Sequence, residues 1–140
     1  MAHKIDGYSF YSKGEADRYL ALKMMKSKRE IQDITVITEP YVLVKAYHKC
    51  PCCGKMSELT VCDLCGSRTY SSSGIVYRPN FLVRYNNGTE VIEDVMKSHK
   101  LSHEFNMKKI LYDQLYTTPL HIIVYGKAYH KTERGWEICA

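Results

Sequence analysis

The chain has 140 residues, a formal net charge of +5 and 45% hydrophobic residues, which fits one compact domain with room for a small appended module. No apolar run approaches the roughly 18 residues needed to cross a bilayer, and the first residues do not form an apolar signal segment. We therefore expect no membrane partner and a cytoplasmic location, where paired cysteines are more often metal ligands than disulfides.

The positive charge is compatible with a polyanionic partner but does not require one. Basic residues form two groups, Lys23/Lys26/Lys28/Arg29 and Lys97/Lys100/Lys108/Lys109. Each group is typical of the solvent-exposed face of a helix or its flank, and each could alternatively contact phosphate.

The first part of the chain predicts a helix followed by strands. Ser12-Lys13-Gly14-Glu15 is a capping box, and a helix is predicted from there to about Lys28 because apolar residues recur at helical spacing in Ala16, Tyr19, Leu20 and Met24. β-Branched residues predict a strand over 31–37, and a second extended run covers 41–47.

The second part of the chain alternates strands and a helix. A strand is predicted over 75–85, and the tight-turn sequence Asn86-Asn87-Gly88 predicts that 90–95 returns antiparallel to it. Ser102 caps a second helix, whose predicted inner face is Met107, Ile110, Leu111, Gln114 and Leu115. A buried strand follows over 120–125, and 126–140 carries no assignment. This order predicts an α/β fold with a mixed sheet flanked by helices.

Six cysteines include two C-x-x-C pairs, each followed by glycine: Cys50-Pro51-Cys52-Cys53-Gly54 and Cys62-Asp63-Leu64-Cys65-Gly66. This pattern is typical of zinc knuckles, in which glycine permits the tight turn. We predict that Cys50, Cys53, Cys62 and Cys65 bind one structural zinc ion, in an insertion over 49–69 between core segments 1–48 and 70–140. Four cysteines leave no open position, so this metal should not catalyse a reaction. Cys52 and Cys139 are not assigned.

Three further segments carry a family resemblance. Tyr8 to Ala16 precedes and opens the first helix, 77–83 contains Pro79-Asn80, and 91–97 contains Glu93-Asp94-Val95-Met96-Lys97. Together they resemble the PD-(D/E)XK nuclease superfamily, in particular phage-encoded members similar to the phage endonuclease I-type Holliday-junction resolvases. The resemblance covers roughly residues 7–125. It implies a restriction-endonuclease-like core, and the host cell cytoplasm as the location if the protein is phage-encoded.

The resemblance also implies a catalytic site. In that family a helix glutamate, an aspartate after proline, and an acidic residue two positions before a lysine converge on one cleft. The carboxylates gather Mg²⁺, which activates water, and the lysine stabilises the developing charge. Glu15 and Asp94 match this pattern here, whereas Asn80 stands in place of aspartate and Met96 in place of lysine.

Three neighbours could compensate for these departures, namely Glu93, Lys97 and Lys100, the last reaching back from just past the strand. Regular alternation sends Glu93 and Lys97 to the face of the strand opposite Asp94, but a β-bulge near Val95 would bring Lys97 onto the face of Asp94. Glu15 has a structural alternative, because it could simply complete the capping box.

Two functions follow from the sequence as expectations. The first is a phage-type DNA-binding protein that is a divergent endonuclease or junction resolvase, using Mg²⁺ if active, or a catalytically impaired descendant. Its partner would be DNA, including branched DNA, and a homodimer would suit a junction that needs two cuts. The second is a non-enzymatic interaction factor that inhibits or regulates a host polymerase or defence nuclease. The sequence leaves open whether the protein is an enzyme.

Overall fold

The structure is a computed structural model that describes residues 2–139, and these divide into two units. One unit comprises residues 2–39 and 78–139, and the other comprises Pro40–Tyr77. The second unit extends beyond the predicted 49–69 insertion because strands on both sides of the cysteines pair with one another.

The described residues form two helices and thirteen strands. The helices are α1 (Lys13–Ser27) and α2 (His103–Leu115), and neither is long and apolar enough to cross a membrane. The strands are β1 (His3–Ile5), β2 (Tyr8–Phe10), β3 (Asp33–Val36), β4 (Tyr41–Val44), β5 (Tyr47–Lys49), β6 (Met56–Ser57), β7 (Tyr70–Ser72), β8 (Ile75–Tyr77), β9 (Phe81–Arg84), β10 (Glu90–Met96), β11 (Leu120–Val124), β12 (Lys127–Thr132) and β13 (Gly135–Ile138).

The first unit is built on a six-stranded sheet, and the prediction of a mixed sheet is confirmed. Its strand order is β13-β12-β11-β10-β9-β3. β10 and β11 are parallel and are connected through α2, whereas the other neighbours are antiparallel. The predicted turn at Asn86-Asn87-Gly88 joins β9 to β10, and Gly88 has the positive φ that favours glycine there.

α1 packs on one face of this sheet through a cluster of aromatic side chains. Phe10, Tyr19 and Phe81 lie with ring centroids 5.2 to 6.2 Å apart, in a core that also contains Ala16 and Leu22. The predicted helix and its Ser12 cap are confirmed. Of the apolar residues at helical spacing, Leu20 and Met24 are exposed, because the buried stripe runs through positions 16, 19 and 22.

α2 lies on the opposite face of the sheet. Its Phe105 ring is 6.3 Å from the ring of Trp136 on β13, and Tyr112 is buried. The predicted inner face of this helix is wrong, since Met107, Ile110 and Leu115 are more than half exposed. The aromatic side chains at 105 and 112, two turns apart, take the buried positions instead.

Two hairpins of the first unit have no counterpart among the sequence predictions. β1 and β2 pair around Asp6-Gly7, both with positive φ, which is the Asp-Gly signal of a tight hairpin turn. β12 and β13 pair within the unassigned tail and extend the sheet beyond β11.

The second unit contains a two-stranded sheet, β4-β8, and a three-stranded sheet, β6-β5-β7. The predicted strand over 75–85 is therefore two strands, β8 in this unit and β9 in the other, separated at Pro79-Asn80. Few apolar side chains of this unit are buried: Leu43, Cys50, Cys62 and Tyr77. Since two of these four are cysteines, the unit has little hydrophobic core of its own.

Candidate functional site

Four cysteine side chains meet in the second unit. The Sγ atoms of Cys50, Cys53, Cys62 and Cys65 all lie within 4.8 Å of one another, with 3.3 Å between Cys50 and Cys65 and 3.6 Å between Cys53 and Cys62. None of them is in a disulfide. These four cysteines, called the knob below, could hold a metal ion such as zinc, because thiolates at tetrahedral spacing are its preferred structural ligands.

The knob cysteines are carried by two similar turns. In the first, Gly54 N–H donates to the carbonyl of Cys50, and in the second Gly66 N–H donates to the carbonyl of Cys62, at 3.0 and 2.9 Å. Gly54 and Gly66 have φ of +76° and +75°, a conformation that side-chain-bearing residues rarely adopt. The glycine after each C-x-x-C pair is therefore required by the backbone geometry.

The knob thiols differ in acidity when no cation separates them. Hydrogen bonding with Ser67 lowers the pKa of Cys65 to about 6. The backbone hydrogen bond from Lys55 lowers the pKa of Cys53, but neighbouring thiols and burial outweigh it and raise that pKa to about 11. One thiolate thus opposes the formation of another, which is the repulsion that a divalent cation relieves.

A groove of about 840 Å³ lies in the first unit. Its walls come from the segment that opens α1, the end of β10 and the end of β11 together with the residues just after it. The charged residues that line it are Lys13, Glu15, Asp17, Arg18 and Lys97. The groove thus combines three cations with two carboxylates.

Glu15 lines this groove and bonds to Asn80, which is not itself among the described lining residues. Asn80 Nδ2 donates to Glu15 Oε1 at 2.7 Å, and Val95 N–H donates to Asn80 Oδ1 at 2.8 Å. Pairing of β9 with β10 ends at Phe81 and Glu93, so the Asn80 side chain replaces the missing strand partner of Val95. Because a backbone N–H can only donate, it faces the amide oxygen, and this leaves the amide nitrogen to face Glu15.

Glu15 also serves the helix terminus. Its backbone N–H donates to Ser12 Oγ at 3.1 Å, and Ser12 Oγ donates to Glu15 Oε2 at 2.9 Å. The capping role and the contact with Asn80 therefore use different oxygens of one carboxylate.

The carboxylate of Glu93 is fully buried beneath α1. Arg18 holds it with two parallel bonds, Nε to Oε1 at 2.7 Å and Nη2 to Oε2 at 2.6 Å. Burial lowers the pKa of Arg18, but the hydrogen bonds and charge of Glu93 outweigh it, and the net pKa is raised. Both carboxylate oxygens are thus committed to one guanidinium.

The structure places Asp94 differently from the expectation that it joins Glu15. Its register partner is Ile122, which is itself paired with Tyr129, whereas Glu93 beside it contacts α1. Since successive side chains of a strand alternate between faces, Asp94 shares the face of α2, and it is not among the described residues that line the groove. The strand carboxylate on the α1 face is Glu93.

Met96 and Lys97 both line the groove. Pairing of β10 with β11 runs without a break from Ile92 to Met96, so the β-bulge considered near Val95 is not formed. Lys97 reaches the groove at the end of β10, on the side of Glu93 rather than that of Asp94.

Two tyrosines that also line the groove are almost fully exposed. Tyr11 is 88% exposed and immediately precedes the Ser12 cap, and Tyr125 is 84% exposed just after β11. Tyr125 has φ of +49°, which is uncommon for a residue with a side chain. Large aromatic rings in such positions are available to stack on a ligand.

Fold and site together define a mixed α/β protein with a grooved sheet unit and a four-cysteine knob. The chain belongs to the family described as "Protein of unknown function (DUF1064)", whose model matches residues 2–131. No curated protein and no solved structure matches the chain.

The sequence did not indicate the side chains that surround Glu93. Arg18 is 75 residues away in sequence, so no local spacing signals the pair. A further cluster lies beside it, with His121 on β11, His130 on β12 and Cys139 directly after β13. Burial lowers the pKa of His121, against the effect of Glu93, and burial raises the pKa of Cys139. The sequence could not show that His121 and His130 are register partners, because that depends on the pairing of β11 with β12 and residues 126–140 carried no assignment.

Proposed function

We propose that this protein binds nucleic acid in the groove of its first unit, on a PD-(D/E)XK nuclease-like core, and that it does not cleave efficiently. The observation that carries the proposal is the hydrogen bond from Asn80 to Glu15 at the groove. An aspartate at position 80 would place a negatively charged oxygen against the carboxylate of Glu15, and a cation would be needed between the two. The amide nitrogen of Asn80 donates to Glu15 instead, so no cation is needed. In this proposal the groove is a nuclease-like cleft in which Asn80 bonds to Glu15 directly, so that these polar groups are satisfied without a metal.

The order of elements supports the nuclease-like core. α1 is followed by three antiparallel strands (β3, β9 and β10), then by α2 and the parallel strand β11. The helix glutamate and the residue after Pro79 come together from positions 65 residues apart. This is the convergence that the sequence resemblance implies for Glu15 and position 80.

The charge distribution supports binding in preference to cleavage. Mg²⁺ requires several oxygen ligands, commonly carboxylates, but Glu93 is neutralised by Arg18 and Asn80 has no charge. Lys13 and Lys97 line the groove as donors for phosphate oxygens, and the ion pair of Lys13 with Asp17 at 3.8 Å is exposed and weak enough for a phosphate to displace. The exposed rings of Tyr11 and Tyr125 can stack on unpaired bases, which favours single-stranded or branched forms over uniform duplex.

We further propose that the knob ion is zinc and that its role is structural. Four thiolates form a closed tetrahedral set with no position for a substrate. The scarcity of buried apolar side chains around the knob supports this role, since small units with little core depend on a metal or disulfides for stability.

A second candidate function rests on the surface of the knob unit. Apolar side chains are exposed on the segment between and within the cysteine pairs, namely Leu59, Val61 and Leu64, the last at 72%. Such a surface would suit a non-enzymatic interaction factor that docks on a host polymerase or defence nuclease. If this second function is correct, the variant Leu64→Glu should abolish binding to the host protein, whereas the groove variants described next should not.

The binding proposal predicts that the groove lysines contribute more to affinity than other lysines do. The variant Lys13→Gln/Lys97→Gln should weaken binding to single-stranded and branched oligonucleotides by more than about 10-fold at low salt, and reduce the salt slope by about 2, one unit per lost phosphate contact. Fluorescence anisotropy across a salt series measures both quantities.

The matched control removes two exposed lysines that lie outside the groove and outside both basic groups, in Lys4→Gln/Lys131→Gln, and should leave affinity and slope near those of the unmodified chain. Equal losses in the two variants would indicate non-specific attraction to net charge. No binding to any nucleic acid at low salt would overturn the proposed function.

Replacing Asn80 by aspartate should make the groove respond to divalent cations. One carboxylate oxygen can still accept from Val95 N–H, but the other would face Glu15 Oε1 across the present 2.7 Å contact. Two like charges at this distance need a proton or a cation between them. The variant should therefore be less stable than the original in a chelator and should gain stability with Mg²⁺ or Mn²⁺, by about 2.7 kcal/mol at one hundred times the dissociation constant.

Thermal unfolding with and without the cation measures this gain, and nuclease assays on the same samples show whether cleavage returns. Asn80→Asp/Glu15→Gln is the matched control, since it removes one of the two charges and should lose the cation response. A variant Asn80→Asp that is indifferent to both cations would show that the groove is not a former metal position.

A further inference from the structure

A second cluster of metal-ligating side chains lies on the C-terminal hairpin of the first unit. His121 on β11 and His130 on β12 are register partners, with ring centroids 6.1 Å apart. Cys139 follows β13, and its Sγ lies 3.3 Å from Nδ1 of His130 and 3.7 Å from Nδ1 of His121. Cys139 is beyond the residues that match the family model.

We propose that Cys139, His121 and His130 form a second metal site, which takes a divalent transition metal of the zinc class with one position left open. One thiolate and two imidazoles are ligands that zinc prefers, whereas Mg²⁺ requires oxygen. The site is separate from the knob, because its three residues belong to the other unit.

The distances around Cys139 fit this assignment. With Zn–S of about 2.3 Å and Zn–N of about 2.0 to 2.1 Å, the sulfur and a nitrogen on a tetrahedral ion are about 3.5 Å apart. The separations from the sulfur to the two Nδ1 atoms, 3.3 Å for His130 and 3.7 Å for His121, lie on either side of this value. His121 Nε2 is 4.0 Å from the same sulfur, so the Nδ1 lone pair of His121 does not point at it. A tetrahedral ion could therefore bridge the thiolate and Nδ1 of His130 with little movement, whereas the ring of His121 would have to turn to become a ligand.

The two imidazoles are less well placed than the knob cysteines. The four knob cysteines have all their ligand atoms within 4.8 Å of one another. The ligand atoms of Cys139, His121 and His130 are not all that close in the described structure, so metal binding here requires rotation of a histidine ring. Both histidines are only partly buried, which leaves room for that rotation. The second site should therefore bind metal more weakly than the knob, and its thiol releases a proton to solvent on binding.

The sheet gives this site a mechanical consequence. An ion held by β11, β12 and the residue after β13 would cross-link the edge hairpin to the strand that leads into Tyr125 at the groove. The same face of the sheet carries the pair of Arg18 and Glu93, since Glu93 and His121 are register partners. Metal binding would thus restrain β12 and β13 without using either oxygen of Glu93.

Cobalt titration of the full chain with one zinc already bound in the knob tests the proposal. Co²⁺ should add as a second equivalent per chain, with a charge-transfer band of one thiolate and with the zinc retained. Cys139→Ser should abolish this second equivalent, and His130→Gln should weaken it by about 10-fold or more, as expected for loss of one ligand. Cys52→Ser and His103→Gln are the matched controls and should bind like the original chain.

The outcomes are distinct. If total metal stays at one per chain in excess Co²⁺ and in excess Zn²⁺, or if Cys139→Ser retains the full second equivalent, the site does not exist as proposed. Far-ultraviolet circular dichroism and Trp136 fluorescence establish that each variant is folded. If Cys139→Ser does not fold, the two single variants His130→Gln and His121→Gln give the same test. Each should lower the affinity for the second Co²⁺ while Cys139 remains.

Discussion

Replacing Cys62 by serine is expected to unfold the Pro40–Tyr77 unit while the six-stranded sheet of the other unit stays folded. The unit buries two cysteines and only two other apolar side chains, so a metal ion held by the knob would replace the hydrophobic core that the unit lacks. Structural zinc contributes an apparent 10 to 16 kcal/mol, roughly, in small zinc-dependent modules. Loss of one of four ligands should therefore remove most of the stability of the unit, and a strong chelator should have the same effect on the original chain.

Amide hydrogen exchange separates the two units in this experiment. Protection should be lost over β5, β6 and β7 and retained over β9, β10 and β11, and fluorescence of Trp136, the single tryptophan, should remain native. Cys52→Ser is the matched control because Cys52 is exposed in the same segment but is not one of the four knob residues. Full zinc content and full protection in Cys62→Ser, or loss of zinc in Cys52→Ser, would show that the ligand set is wrong.

The knob was accessible from sequence because its determinants are local. Each C-x-x-C pair and its glycine fix one turn within five residues, and the positive φ of Gly54 and Gly66 follows from that spacing alone. The hairpin at Asn86-Asn87-Gly88 was predictable for the same reason. Apolar periodicity located both helices, but it did not identify which stripe faces the sheet, since the aromatic side chains of α2 outcompete Met107, Ile110 and Leu115 for buried positions.

The groove was only partly accessible because it depends on the phase of a strand. Glu93 and Asp94 are adjacent, and a shift of one residue exchanges which of them faces α1. Nothing local to 91–97 distinguishes the two, because the choice is made by Arg18 from a distant helix. Glu15 and Asn80 were identified from the order of motifs, but the hydrogen bond from Asn80 to Glu15 depends on where β9 stops pairing, which only the fold determines.

Arg18→Met is expected to destabilise the first unit by about 3 to 5 kcal/mol. The substitution keeps most of the side-chain volume but leaves the carboxylate of Glu93 buried without a partner, which costs far more than the loss of an exposed ion pair. Arg84→Met is the matched control. It removes the guanidinium of β9 that bonds Glu90 of β10, the strand that also carries Glu93, and both of these side chains are a third exposed or more. This control should cost about 1 kcal/mol or less.

The double variant Arg18→Met/Glu93→Leu separates the cost of an unpaired charge from the loss of packing. If the buried charge causes the destabilisation, removing both partners should recover most of the lost free energy, because apolar side chains of similar volume commonly replace buried ion pairs without penalty. Urea unfolding followed by Trp136 fluorescence measures all four proteins. A single variant no less stable than Arg84→Met would mean that water or a cation reaches Glu93. The carboxylate of Glu93 would then be available to bind a metal ion together with Glu15. Neutralisation of Glu93 by Arg18 would no longer be a reason to expect inefficient cleavage.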